Sequence, residues 1–194
     1  MQGTPILDAS EEGDLDVVKA LAPLIENPNS PPDKEGYTPI HVAVLNDYVE
    51  IVRFLAPLTD NPNASSTYEL SPPINQLALD GNLDLIRFLA PMTENPNASD
   101  MNGQTPIYLA ALKEDIEMVR FLAPLTDNPN APDENGITPI HLAAEKNDLE
   151  IVKFLAPLTE NPNAPDDDGE TPIDVANYLG HNDIVQFLQS YIKK

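Results

Sequence analysis

Pro132 to Ala164, PDENGITPIHLAAEKNDLEIVKFLAPLTENPNA, decides the reading of this chain, because most of the rest of the 194-residue sequence consists of altered copies of it. The copies fall into register on a Thr-Pro column, or its equivalent, at Pro5, Pro39, Pro73, Pro106, Pro139 and Pro172, spaced by 34, 34, 33, 33 and 33 residues. A second column, Pro23, Pro57, Pro91, Pro124 and Pro157, follows each of the first five after 18 residues. A fixed period of this length marks a solenoid, in which each copy is one supersecondary unit that cannot bury its apolar face alone. The sequence therefore predicts repeats that fold only by stacking.

Within one copy the residues predict two short antiparallel helices and a turn. Thr138 offers an oxygen to the free amides of a first helical turn, and Pro139 takes the first helical position, where its missing N–H costs nothing. Ile140, Leu142, Ala143 and Ala144 supply the apolar side, the alanines being small enough for a neighbouring helix to approach closely. After a break at Lys146-Asn147, Asp148 can cap a second helix whose Leu149, Ile151, Val152, Phe154 and Leu155 form one broad buried face. Pro157 is expected to close it. Thr159 to Gly169, rich in Asn, Pro, Asp and Gly, reads as the turn-forming finger that joins repeats.

Gly136-Ile-Thr-Pro-Ile-His-Leu-Ala-Ala144 resembles the G-x-T-P-L-H-x-A-A signature of the ankyrin repeats, with Ile for Leu at one position. The resemblance covers the whole chain. It implies an all-α solenoid of six stacked helix-turn-helix units with β-turn fingers, and it implies protein binding rather than catalysis. The repeats are approximately 1–34, 35–68, 69–101, 102–134, 135–167 and 168–194, and the reading takes 1–194 as one domain with the terminal repeats as caps.

Composition agrees once it is set against the repeat. Twenty-one prolines would otherwise suggest disorder, but sixteen of them sit in the Thr-Pro, Ala-Pro and Asn-Pro-Asn columns and act as punctuation. The formal charge of -22 argues against nucleic acid, whose binding depends on Lys and Arg neutralising phosphates, and favours basic partners. No stretch is apolar for long enough to span a bilayer, no secretory leader precedes the first repeat, and there is no cysteine. The expectation is a monomer in the cytoplasm or nucleus, without a cofactor and without a membrane partner. On the second helices an acidic column (Asp16, Glu50, Asp84, Glu117, Glu150) precedes a basic one (Lys19, Arg53, Arg87, Arg120, Lys153) by three residues, the spacing of pairs along one exposed helix face.

The copies depart from each other in informative places. Asp8 stands where repeat five has Leu142, as suits an outer N-terminal cap meeting water. Asp47 and Glu114 occupy the column between the two helices where glycine is expected, Asp tolerating left-handed backbone better than most residues. Repeat three lacks the finger's Asp-x-x-Gly turn, has Pro72 for the capping Thr and Asn75 in the His column, and places Leu77 in a column that is otherwise alanine. A core adapted around Leu77 is expected. In repeat six the Ala-Pro and Asn-Pro-Asn elements are lost, which marks a C-terminal cap, and Lys193-Lys194 suit a helix C-terminus.

Chemical motifs are few. His41 and His141 share the Thr-Pro-Ile-His position, where the resemblance implies hydrogen bonding along the stack. Asp166-Asp-Asp-Gly-Glu170 fails as a calcium loop, since an EF-hand with its glycine at Gly169 needs ligands at Ala164 and Val175. Asn63-Ala-Ser65 and Asn97-Ala-Ser99 match glycosylation sequons but read as structural asparagines beside fingers.

Function then falls to the variable columns, which the resemblance places on the concave face. At the end of helix one stand Glu11, Leu45, Leu79, Leu112, Glu145 and Tyr178, and Leu45, Leu79 and Leu112 form an expected ladder. Tyr37, Tyr68, Met101, Gln104 and Ile137 border it. The reading is a non-enzymatic scaffold binding a basic or amphipathic peptide or protein segment there. Its alternative is a structural or engineered stack without an evolved partner.

Overall fold

A threonine followed by a proline starts a helix because the proline ring presets φ and the threonine oxygen takes an amide that would otherwise lack a partner. The computed structural model, which describes residues 4–29, 36–64 and 71–192, begins a helix at every proline of that column. The helix pairs are α1 (Pro5–Glu12) and α2 (Leu15–Leu21), α3 (Pro39–Leu45) and α4 (Val49–Leu55), α5 (Pro73–Leu79) and α6 (Leu83–Leu89). They continue with α7 (Pro106–Leu112) and α8 (Ile116–Leu122), α9 (Pro139–Glu145) and α10 (Leu149–Leu155), α11 (Pro172–Leu179) and α12 (Asn182–Ile192). Among the described residues there is no strand.

Capping follows the columns. The hydroxyls of Thr38, Thr105, Thr138 and Thr171 accept the amides of His41, Tyr108, His141 and Asp174. Where Pro72 replaces threonine, the Asn75 amide turns to the Pro72 carbonyl instead, at 2.9 Å. Second helices are capped by Asp14, Asn82, Asp115 and Asp148, each accepting the amide three residues on at 3.0 to 3.1 Å. Between the helices the backbone is left-handed at Asp47 (φ 57°), Glu114 (φ 60°) and Asn147 (φ 62°). A side chain there costs roughly 1–2 kcal/mol, least for Asn and Asp, so Glu114 carries the largest strain of the three.

Pro157 and its counterparts do not stop the second helix abruptly. The α-helix ends one residue before the Ala-Pro element, and Ala22–Leu24, Ala56–Leu58, Ala90–Met92, Ala123–Leu125 and Ala156–Leu158 each form one 3₁₀ turn. That tighter turn keeps the chain coiling after the proline has removed a donor. Without the element, α12 continues for 11 residues where α10 has 7.

The helices fall into two compact units, 1–101 and 102–194, divided at the border between repeats three and four. In the first unit α1, α3 and α5 pack side by side, each against its own second helix, and α2 packs on α4. Ile6, Ile40 and Ile74 in the first helices and Val18, Val52 and Ile86 in the second are fully buried. Leu77 is buried as well, and α5 runs its seven residues without a break around it. In the second unit α7, α9 and α11 form one row, α8, α10 and α12 the other, with Ile107, Ile140, Val119 and Val152 at its centre. Asp8 is exposed, and Ile184 and Leu188 of α12 are fully buried. Tyr68, the rest of the repeat-three entry at 65–70, the first finger at 30–35 and the closing lysines lie outside the described residues.

Every Asn-Pro-Asn makes one hydrogen bond within itself, and those at 27–29, 61–63, 128–130 and 161–163 make a second to the following helix. The first asparagine accepts the amide of the second, as in Asn27 to Asn29 and Asn61 to Asn63, which shapes the turn. The second then reaches forward: Asn29, Asn63, Asn130 and Asn163 accept the amides of Ile40, Ile74, Ile140 and Ile173 in the following first helix at 2.8 to 3.0 Å. Asn63 and Asn97 are buried, so neither sequon asparagine is open to a glycan in the folded chain.

Fingers of the second unit bond to each other through backbone. Glu134 N–H donates to Asn102 C=O at 2.8 Å and Asp167 N–H to Asn135 C=O at 3.0 Å. The approach is tight enough that a Cβ on Gly103 or Gly136 would stand 2.9 Å from the next finger's backbone, whereas one on Gly169 would meet nothing. On the outer helices Arg120 pairs with Glu150 of α10 at 2.9 Å and lies 4.8 Å from the Phe154 ring centre. Arg53 lies over Phe88 of α6 at 4.9 Å. Arg120 thus turns to the next helix rather than to Glu117 on its own.

Two measurements check these linkages. By urea unfolding, Asn130→Ala costs about 1–3 kcal/mol, since it leaves a buried amide unpaired. Asn163→Ala costs less, because Asn163 and Ile173 are half-buried. Gly169→Ala costs about 1–2 kcal/mol, the price of φ alone, and Gly136→Ala costs at least about 1 kcal/mol more through the clash with Asp166.

Candidate functional site

The column Glu11, Leu45, Leu79, Leu112, Glu145 and Tyr178 lies at the ends of the first helices, beyond the buried Ile and Ala columns. Leu45 ends α3 with 51% of its surface exposed. Leu79 and Leu112, at the same position of α5 and α7, are half-buried, so the three leucines are not equivalent. Tyr37 is half-buried and sets its ring edge-on to His41, centroids 6.4 Å apart. Tyr37 and Leu45 line one hollow of about 190 Å³ together with Val44, Ser71 and Gln76. Leu45 also borders a second hollow of about 590 Å³, whose apolar side is Val44 and Leu77 and whose acidic side is Asp47, Asp80 and Asp84. Met101 is 61% exposed. Gln104 and Ile137, of the second unit, are half-buried.

Ile137 belongs to a different feature, a groove of about 390 Å³ between α9, α11 and the finger at 166–170. Leu142 and Val175 form its apolar lining, His141 closes its end, and Glu145, Asp166 and Glu170 stand around it. Tyr178, 90% exposed, and Leu179, 44% exposed, flank its mouth. Apart from Ile137, no residue of this groove is among the eight expected to bind. The signal for it was Tyr178 in the same column as the three leucines, but it stands in the cap, where repeat irregularity was read as a device of the fold. Exposed leucines in the 3₁₀ turns, Leu24 and Leu58 in the first unit and Leu125 and Leu158 in the second, were also not anticipated, because that column, which holds Met92 in repeat three, is nearly constant.

The histidines are held by the fold. His141 Nδ1 accepts the Thr138 amide at 3.1 Å, which leaves the proton on Nε2 to be donated to the Glu170 carbonyl at 3.1 Å. One ring thereby ties the start of α9 to the next finger. His41 makes the same Nδ1 contacts with Thr38. In repeat four Tyr108 takes over the role, its hydroxyl donating to the buried Asp133 carboxylate at 3.1 Å. The other oxygen of Asp133 accepts the amides of Asn135 and Ile137, so the finger is shaped and anchored by one side chain. In repeat six Asp174 stands at the His position and accepts both the hydroxyl and the amide of Thr171. Those bonds hold its carboxyl below the usual range. His181 Nδ1 donates to the Ala144 carbonyl at 2.8 Å. Among the described residues no cluster of His, Asp or Glu has the geometry to hold a metal ion, and no helix is long and apolar enough to cross a membrane.

Comparisons with known proteins bear on the fold. A profile described as ankyrin repeats (3 copies) matches residues 2–66 and 125–194, and a second, ankyrin repeats (many copies), matches 74–123. Among solved structures, an ankyrin repeat domain from Acinetobacter baumannii AYE is 24% identical with a TM-score of 0.84, over 96% of this chain and 97% of that one. Another ankyrin repeat protein is 21% identical with a TM-score of 0.79, over 98% of this chain and 99% of that one. No curated protein matches the sequence.

Burial lowers the pKa of His141 below 6.5, against the opposing pull of the Glu170 carbonyl and the charges of Asp166, Asp133 and Glu170. Between the folded and unfolded values the unfolded chain binds more protons, so stability rises with pH. The contribution of the neutral ring is complete above 6.5 and is lost as pH falls below it. The melting-temperature advantage of the wild type over His141→Gln should therefore shrink between about pH 7.5 and 5.5. An advantage that stays constant across that range contradicts this assignment of the ring.

Proposed function

The chain belongs to the ankyrin-repeat family, and from that membership we propose that it is a non-enzymatic scaffold which, as a monomer, binds a basic or amphipathic segment of another protein. Ankyrin repeats are generally protein–protein interaction modules. The observation that carries the finer reading is the exposure of Leu45 and Met101 on a chain of net charge -22. Large exposed apolar side chains rimmed by charge mark partner surfaces. The residues given this role are Tyr37, Leu45, Tyr68, Leu79 and Met101 in the first unit and Gln104, Leu112 and Ile137 in the second. Apolar contacts hold the partner there, and carboxylates speed the encounter and select for positive charge.

A pull-down from cell extract tests the reading. Leu45→Glu, at a position already half open to water, should melt within about 0.5 kcal/mol of the wild type and lose the proteins that the wild type captures. Raising salt should slow association more than it hastens release. Undiminished capture by the variant would place the binding surface elsewhere.

A further inference from the structure

We propose that the groove between α9 and α11 seats one specific element of such a partner: an apolar side chain lying on Leu142, Val175 and Tyr178, with a lysine or arginine beside it in the partner sequence meeting Glu145, Asp166 and Glu170. This rests on the protein-binding function above, and it adds a contact that the leucine positions do not supply.

Four observations converge on it. The groove holds about 390 Å³, room for a side chain or two rather than for a helix laid along it. Tyr178 and Leu179 leave large apolar surfaces open at the mouth; an exposed tyrosine is a rigid anchor that loses little entropy on binding. Three carboxylates border the groove and no lysine or arginine lines it. His141 adds no positive charge at neutral pH, because burial lowers its pKa. Phosphate and lipid headgroups are repelled by such a rim, while a cation is drawn to it. A metal ion alone does not suit it, since no cluster among the described residues has ligand geometry. The acidic hollow of the first unit is the weaker candidate. Asp80 there is already engaged by Gln76 at 3.0 Å, and no aromatic side chain lines it.

Fluorescence anisotropy with three labelled peptides tests the proposal on the full chain. The probes are the basic amphipathic peptide (KLAKLAK)2, its acidic counterpart (ELAELAE)2, and hexalysine, which carries the charge without the apolar residues. The basic amphipathic peptide should bind at least about tenfold more tightly than either control. Tyr178→Ala and Glu145→Lys, both at exposed positions, should each weaken it by about tenfold, while Leu24→Ala, at an exposed position with no binding role, leaves it unchanged. Circular dichroism confirms that each variant folds. Hexalysine binding as tightly as the amphipathic peptide would reduce the groove to a charged surface and overturn the proposal. Weakening by Leu45→Ala but not by the groove variants would overturn the groove while leaving the scaffold function standing. No binding of any probe would overturn the groove's selectivity, and the pull-down would then decide the broader function separately.

Discussion

A hydrogen bond from the isoleucine amide near the start of a first helix to an asparagine side chain one repeat earlier is the constraint on which the stack depends. The first amides of a helix have no partner within it. Here proline removes one, the forward-reaching asparagine takes the next, and the threonine hydroxyl takes the one after. Two of these three devices are local, but the asparagine belongs to another repeat, so a helix start is completed only when its predecessor is in place. The bond is buried at Asn29, Asn63 and Asn130, where loss of a partner is most costly. It closes over 11 residues from Asn29 to Ile40 and from Asn63 to Ile74 but over 10 from Asn130 to Ile140 and from Asn163 to Ile173, so a finger can lose one residue and keep the bond.

Much of this was legible because it is local. The Thr-Pro starts, the Asp148 cap, the tolerance of Asp47 for a left-handed backbone and the structural role of Asn63 all follow from short-range rules applied to single residues. Arg120 was misread for the opposite reason. Spacing along one helix points it toward Glu117, but its long side chain finds Glu150 and the Phe154 ring on the neighbouring helix, and that geometry depends on the distance between repeats. The groove beside Tyr178 was missed for a related cause. It lies between α9, α11 and the finger at 166–170, and a column of residues does not record how much of each member its surroundings leave open.

Buried and exposed roles occupy different positions of the same short helices. In α9, Pro139, Ile140, His141, Ala143 and Ala144 are committed to the core and its hydrogen bonds, while Glu145 at the end is exposed. Tyr108, His141 and Asp174 show that even the committed column accepts different chemistry, provided that each side chain finds a partner of its own. A repeat can therefore change what it presents without changing how it stacks, and the converse exchange of His for Tyr or Asp alters the stack without touching the presented residue.

The backbone bonds between fingers also bear on the chemical lifetime of the protein. An Asn-Gly sequence ages when the glycine nitrogen attacks the asparagine side-chain carbonyl and expels ammonia, closing a succinimide that water reopens largely as isoaspartate, with the main chain lengthened by one carbon. Asn135-Gly136 is such a sequence, exposed at a finger tip. There the Gly136 amide is held by the Asp133 carbonyl at 3.1 Å, and the Asn135 carbonyl is held by the next finger. The nitrogen is kept from its target for as long as the fingers stay bonded. Loosening of the last repeats would thus open a slow and irreversible route of damage at a residue far from the loosened helix ends.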